Sequence, residues 1–435
     1  MRDILRQKIA DGISSDLPKL TRRDVRLPGI AGKAIAVIGV RRSGKTSFLY
    51  QCLRDRLDAG APRETQLYIS FEDERLVEMQ AADLTWMVEE YFRLCPGRRD
   101  QEIVAFYFDE IQNIPGWETF ARRLMDTETV QLFLSGSSAR LLSREVATSM
   151  RGRALEALVH PFSFREVLRH AGAEPNLPWE LLPKAVRSDL VRRLHDYLVE
   201  GGFPEAIGAT VRDRVALLRS YVDVVVLRDV IDRHQVSNPF ALRWMQRHLL
   251  ASPGGAFSIQ KFYDALRSQG VSVGKDTLHA YLGHLEDAFL VRTIALHTAS
   301  ERQRMVNPRK AYPVDPGLIP IYERTGRANL GHALETAVLI ELERRGYETA
   351  YVRTPAGWEV DFIATTPGAQ PLLLQVCLEL TDPATREREV RALAEAAAAS
   401  PKGTPLMITL DTLPPQPSLP VPLQWRAAAD WLLEN

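Results

Sequence analysis

Gly39-Val40-Arg41-Arg42-Ser43-Gly44-Lys45-Thr46 is the stretch on which the reading of this chain turns. It follows an apolar run, Ala34 to Ile38, that reads as a buried strand. It precedes Ser47 to Leu53, which reads as a helix with apolar spacing. Strand, GxxxxGK[ST] and helix in that order make a phosphate-binding loop. Gly39 and Gly44 let the backbone, with Arg42 and Ser43 between them, fold so that its N–H groups converge on phosphate. The helix N-terminus around Thr46 and Ser47 adds partial positive charge at the same place. Lys45 is the candidate to reach the β- and γ-phosphates, and Thr46 the candidate hydroxyl for Mg²⁺. The spacing therefore implies a bound nucleotide with its metal.

A second signal is Ile103-Val104-Ala105-Phe106-Tyr107-Phe108-Asp109-Glu110. The continuous apolar run reads as a strand buried on both faces. Two carboxylates at its end suit a metal ligand, Asp109, and a general base that polarises water, Glu110. A further apolar strand, Val130 to Leu134, ends in Ser135-Gly136-Ser137-Ser138. Ser135 and Ser137, with Ser138 behind them, either orient water near the γ-phosphate or serve only as turn residues. Arg151-Gly152-Arg153 offers a cation for phosphoryl charge in a neighbouring subunit, Arg153 first. The acidic group Glu72-Asp73-Glu74, at another strand end, is either a solvated end or a second approach to the nucleotide.

At 435 residues, with 45% hydrophobic and 25% charged residues, the chain is globular and too long for one ordinary core. Lys plus Arg and Asp plus Glu number 55 each, so any nucleic-acid footprint must be local. Cys52, Cys95 and Cys377 are scattered and odd in number, which argues against a disulfide framework and fits a reducing cytoplasm. The start carries no apolar h-region, and no apolar run approaches a membrane span.

Phe164 to about Val236 reads as a helical lid. Within it, Arg228 is either a second arginine finger or sensor, or half of a surface pair with Asp229. From Pro239 the pattern is helix, turn, helix, turn, helix and then ribbon, the order of a winged helix. Lys275 and His279 would then face outward on the recognition helix, and Arg302, Arg304, Arg309 and Lys310 would lie on the wing. Such modules serve DNA contact or protein docking. The last segment reads helix, three strands, helix, strand, the core order of a PD-(D/E)xK nuclease. Glu335 and Asp361 fit its metal site. Gln375 and Cys377 stand where a carboxylate and a lysine are needed, and neither replaces them. The site is expected to be degenerate and inactive.

Taken with Gly201-Gly202-Phe203-Pro204-Glu205, Asn307-Pro308-Arg309-Lys310-Ala311-Tyr312 and Gly357-Trp358-Glu359-Val360-Asp361-Phe362, these motifs give the chain a resemblance. It resembles the bacterial and archaeal AAA-type ATPases that carry a winged helix and a C-terminal nuclease-like domain. The resemblance implies ATP as the nucleotide, a cytoplasmic protein and a tie to DNA. The expected architecture is α/β. A P-loop parallel sheet core spans residues 1–163 and a helical lid 164–238. A winged helix follows over 239–322 and a nuclease-like α/β domain over 323–435. The expected activity is ATP hydrolysis by a homo-oligomeric motor acting on DNA, branched or junction DNA by analogy. The alternative is a nucleotide-gated switch that docks a protein partner in regulation or defence.

Overall fold

The computed structural model describes residues 1–136, 150, 152–323 and 329–434. Expectations that fall on Ser137, Ser138 and Arg151 lie outside them. The chain divides into two compact units, Met1–Val159 and His160–Asn435.

The first unit begins with helix α1 (Arg2–Ser14), then alternates strand and helix: β1 (Ala34–Ile38), α2 (Lys45–Asp58), β2 (Gln66–Ser70), α3 (Ala81–Leu94), β3 (Val104–Asp109), α4 (Trp117–Thr127), β4 (Val130–Ser135) and β5 (Ala154–Leu158). The strands form one parallel sheet in the order β2-β3-β4-β1-β5. Every residue of β1 and β3 is buried, which is why both read as unbroken apolar runs. Because β4 lies between β1 and β3, its last residue, Ser135, comes between the phosphate-binding loop and Asp109. β5 was not anticipated. It is an edge strand with Glu156 exposed, so its pattern is too polar to read as core.

The second unit opens with α5 (Phe164–His170), α6 (Lys184–Glu200) and α7 (Val211–Val224), which runs on as a π-helical stretch, Val225–Asp232. Next come α8 (Pro239–Ala251), β6 (Ala256–Phe257), α9 (Ile259–Ser268), α10 (Lys275–Asp287), β7 (Val291–Ile294), α11 (Glu301–Val306) and β8 (Arg309–Pro313). The three strands pair antiparallel in the order β6-β8-β7. A single helical turn, Ile319–Tyr322, leads on to α12 (Leu330–Arg344), β9 (Glu348–Arg353), β10 (Glu359–Thr365), β11 (Leu372–Val376), α13 (Pro383–Ala399), β12 (Thr404–Thr409), β13 (Gln424–Ala427) and α14 (Ala428–Leu433). This second sheet is mixed, in the order β13-β12-β11-β10-β9.

One apolar core runs through the second unit. Leu194 of α6, Ile294 of β7, Tyr312 of β8, Leu334 of α12, Phe362 of β10 and Leu374 of β11 all belong to it. The segments expected as lid, winged helix and nuclease-like domain therefore share buried surface. A smaller core on the other face of the mixed sheet joins Val360, Leu373 and Met407 to Leu393 and Ala396 of α13. Among the described residues, no helix is long and apolar enough to cross a membrane.

Two expectations are corrected here. The segment read as a basic wing is in part helical: Arg302 and Arg304 lie exposed on α11, capped by the Ser300 hydroxyl accepting from Gln303 N. Lys310 does not lie on an exposed wing, because β8 starts at Arg309 and carries Lys310 inward, leaving it 5% exposed. Arg228 pairs with Asp232 at 3.6 Å, whereas Asp229 is buried.

Candidate active site

The loop between β1 and α2 is shaped by glycine at two points. Gly39 has φ +147°, and a Cβ there would lie 2.1 Å from the Val159 carbonyl oxygen. Gly44, at φ +97°, turns the chain into the first residue of α2, Lys45. Inside the loop, the Lys45 ammonium donates to the carbonyls of Gly39 and Val40, each at 3.0 Å. The Ser43 hydroxyl is buried and has no hydrogen-bond partner among the described residues. The Arg23 guanidinium, also buried, donates to the Ser43 carbonyl at 2.7 Å, and Gln51 of α2 accepts from Arg23 N at 2.6 Å. A loop whose lysine turns back on its own carbonyls, with a buried hydroxyl left over, fits the oxygen-rich tail of a nucleotide.

Asp109 ends β3 with 3% exposure. Three hydroxyls converge on it. Thr46 Oγ1 and Tyr68 OH each donate to its Oδ2 at 2.8 Å, and Ser135 Oγ donates to its Oδ1. Ser135 also accepts from the Glu110 backbone N–H at 3.2 Å. It thereby ties the two carboxylate residues together. Glu110 itself sits at φ +54°, a left-handed conformation uncommon for a non-glycine residue. That twist turns its half-buried side chain out of the strand, where Gln112 Nε2 donates to its Oε2. The donor set beside Thr46 is all hard oxygen, the chemistry that suits Mg²⁺.

Tyr68 was missed in the sequence. Its ring lies beside that of Tyr50, tilted by 30° with centroids 4.4 Å apart, and burial followed by the Asp109 charge keeps its hydroxyl protonated well above the usual range. Of the acidic group after β2, Asp73 is engaged elsewhere: it caps a short helical turn and pairs with Lys8 and Arg75, each at 2.8 Å. Arg153 lies half-exposed just before β5 and pairs with Asp126 of its own chain.

In the second unit, Lys275 and His279 are exposed on α10, and Arg309 is exposed beside Glu286 at 3.9 Å. Glu335 of α12 and Asp361 of β10 do come together. Gln375 and Cys377 do not join them. Residues 373, 375 and 377 face α13, where Gln375 Nε2 donates to Glu389 at 2.6 Å and Cys377 packs beside Met407. Their neighbours Leu374 and Val376 face α12 instead. The group that enters the Glu335–Asp361 cluster is Lys310. Its Nζ lies 3.3 Å from Glu335, 3.2 Å from Asp361 and 2.9 Å from Glu359. No sequence spacing links residue 310 to residues 335–361; only the pairing of β8 inside the shared core does.

A family model described as an AAA domain matches residues 31–168, and a second, described as a domain of unknown function (DUF8612), matches residues 191–326. The uncharacterized protein MJ1544 of Methanocaldococcus jannaschii is 31% identical over 385 residues, covering 87% of this chain and 82% of its own. An uncharacterized protein of Haemophilus influenzae is 31% identical over 349 residues, covering 80% and 82%. Among solved structures, a Walker-type ATPase of Pyrococcus abyssi aligns with 74% of this chain and 95% of its own, at 15% identity and a TM-score of 0.38. The ORC2 protein of Aeropyrum pernix, in its ADPNP-ADP complexes, covers 71% and 88% at 13% identity and a TM-score of 0.35.

Proposed function

Because the chain belongs to the family that includes these Methanocaldococcus and Haemophilus proteins, and carries an AAA domain over residues 31–168, we propose that it is a cytoplasmic, homo-oligomeric ATPase that couples ATP hydrolysis to action on DNA. The observation that carries the ATPase reading is the hydrogen-bonded row Thr46–Asp109–Ser135–Glu110 beside the phosphate-binding loop.

In this reading Lys45 leaves the Gly39 and Val40 carbonyls for the β- and γ-phosphate oxygens. Thr46 and Asp109 would hold Mg²⁺, which when bound neutralises charge on the phosphates. Glu110 accepts a proton from water as the water oxygen bonds to the γ-phosphorus and the bond to the β–γ bridging oxygen breaks, releasing ADP. Ser135 keeps Asp109 and Glu110 in register, and Gln112 orients the base. Arg153 of a neighbouring protomer is the candidate that steadies the transferring phosphoryl group.

We read α8 to β8 as a winged helix. The exposed basic residues Lys275, His279, Arg302, Arg304 and Arg309 support DNA contact, and Lys310 leaves that set. Residues 323–435 we read as a nuclease-like scaffold without nuclease activity. A second reading, a nucleotide-gated switch that docks a protein, is favoured by the pairing of Arg304 with Glu301 and of Arg309 with Glu286. These pairs leave less charge for phosphates.

The test is ATP turnover by the wild type and by Glu110→Gln, without DNA and with duplex, single-stranded and four-way-junction DNA. Mg²⁺-dependent turnover, stimulated by one DNA form and lost in the variant, is the expected result. Turnover indifferent to every DNA moves the conclusion to the switch. An inactive wild type under all these conditions overturns the ATPase reading.

A further inference from the structure

The carboxylate cluster of the second unit has a resident cation of its own. Glu335 comes from α12, Glu359 and Asp361 from β10, and all three lie within 3.3 Å of one ammonium group, Lys310 Nζ. That ammonium comes from another sheet, on strand β8. The Lys310 side chain is 6% exposed, against 11% for Glu335, 13% for Asp361 and 37% for Glu359, so the lysine is the deepest charge in the group. Two of the carboxylates accept further hydrogen bonds, and Glu359 also pairs with Arg353 at 3.4 Å. Tyr312, two residues along the same strand, donates its hydroxyl to Glu335 Oε1, and Val376 N–H donates to Asp361 Oδ2 at 3.0 Å. Burial works against the lysine charge, but Glu335, Asp361 and Glu359 more than offset it and hold the group protonated above the ordinary lysine range.

A helix glutamate and a strand aspartate set to share one small cation are the arrangement that binds a divalent metal in hydrolytic sites. Here the space between them is filled from within the protein. The strand around the lysine is not free to withdraw: Tyr312 belongs to the core shared with Leu334 and Phe362, and the Tyr351 hydroxyl donates to the Pro308 carbonyl at 2.8 Å. We propose that Lys310 is a built-in counter-ion that takes the place of a divalent cation in the Glu335–Glu359–Asp361 cluster, fastening the three-stranded sheet to the mixed sheet and keeping the cluster metal-free. The cluster then serves as an ionic clasp, and its silence as a nuclease follows from the lysine in its centre as much as from Gln375 and Cys377. The proposal takes from the functional reading only the idea that residues 323–435 are a nuclease-like scaffold. The clasp itself rests on the ion-pair geometry.

The test uses full-length, nucleotide-free protein in three forms: wild type, Lys310→Met, and Lys310→Met combined with Glu359→Gln and Asp361→Asn. Methionine keeps most of the length of the side chain and removes the charge, so the buried Glu335 and Asp361 lose their ammonium partner, while Glu359 keeps its pair with Arg353. Lys310→Met is expected to lower the melting temperature by roughly 6 °C or more. MnCl₂ is expected to recover part of that loss, whereas the wild type does not respond. The triple variant is expected to regain most of the loss with no response to MnCl₂. If Lys310→Met does not fold but the triple variant does, the clasp is supported, because removing the opposing charges then rescues the fold. Failure of both variants, or a Lys310→Met protein with unchanged melting and no MnCl₂ response, overturns it. Mg²⁺-dependent nicking of DNA by the wild type, abolished by Asp361→Ala, would overturn both the metal-free cluster and the reading of a silent nuclease scaffold, whereas the melting data bear on the clasp alone.

Discussion

At the scale of single residues, the proposed nucleotide site is built on one buried carboxylate that accepts from three hydroxyls. Each of those donors has a separable role. Tyr68 comes from a neighbouring strand and only orients Asp109, so Tyr68→Phe should leave the fold intact and raise the Mg²⁺ concentration for half-maximal turnover by about tenfold, the lower range for loss of a partner behind a metal ligand. A Mg²⁺ titration of ATP turnover checks this, and an unchanged midpoint would show Asp109 to be held without the tyrosine. Ser135 acts on both carboxylate residues, so Ser135→Ala should lower kcat while nucleotide binding, read by fluorescent ATP analogue titration, stays within a factor of about two, because kcat alone reports the interaction made during reaction. Equal losses in both would assign Ser135 to nucleotide binding instead. Lys45, Thr46, Asp109 and Glu110 were singled out because the chemistry proposed for them comes with a fixed spacing along the chain. Tyr68 and Arg23 were not. The register of β2 on β3, which sets Tyr68 opposite Tyr107 and Ser70 opposite Asp109, brings the tyrosine to the site, and no local pattern announces that pairing.

At the scale of elements, the second unit is organised around joins between segments that the sequence presents as separate modules. Asp315, just after β8, is one such join. It is 1% exposed and accepts from the backbone N–H of Gly202, beyond α6, at 2.7 Å and from that of Gly317 at 2.9 Å. Burial pushes its carboxyl from the ordinary 3.8 up to about 7, although both N–H groups pull the other way. The sign follows from proton binding. Between these two values the folded chain holds a proton that the unfolded chain has released, so this group lowers stability as pH rises through that window. Unfolding by urea at pH 5 and pH 7 should therefore show a fall that Asp315→Asn makes smaller, by up to about 1.4 kcal/mol for each pH unit of the window. A slope identical in the variant would clear Asp315 of the effect. The same joins explain what the sequence reading missed. The central strands β1, β3 and β4 stand out as apolar runs and the longer amphipathic helices by their 3.6-residue spacing, whereas α4, β13 and α14 were not read. β5 is a half-exposed edge strand, α11 is a short capped helix inside an expected wing, and Lys310 looks like a surface charge until the pairing of β8 with β6 and β7 turns it inward.

At the scale of the whole molecule, the question is whether one chain can complete its own catalytic site. The position of Arg153 argues that it cannot, if this is the arginine that meets the γ-phosphate. Ala154 pairs with Ala34 at the start of β1, and Ile38 at the end of β1 pairs with Leu158. Arg153 thus lies at the end of the sheet where β1 begins, whereas Gly39 and Lys45 follow the end where β1 finishes. Five residues of parallel strand separate those ends by roughly 16 Å, more than an arginine side chain spans. A finger role for Arg153 must therefore be played in a neighbouring protomer, which makes turnover a property of an assembly. Turnover per chain should then rise with protein concentration, and Arg153→Ala should cost about 10³-fold or more. The decisive form of the experiment mixes two dead proteins. Glu110→Gln lacks its own base but can lend an arginine, and Arg153→Ala has an intact base but no arginine to lend. Each alone should be nearly inactive. Mixed in equal amounts, they should recover a substantial fraction of wild-type turnover, because an Arg153→Ala protomer beside a Glu110→Gln protomer has every group its site requires. A mixture no more active than its parts would remove Arg153 from the phosphoryl-transfer site, and its pairing with Asp126 would then be a contact internal to the first unit.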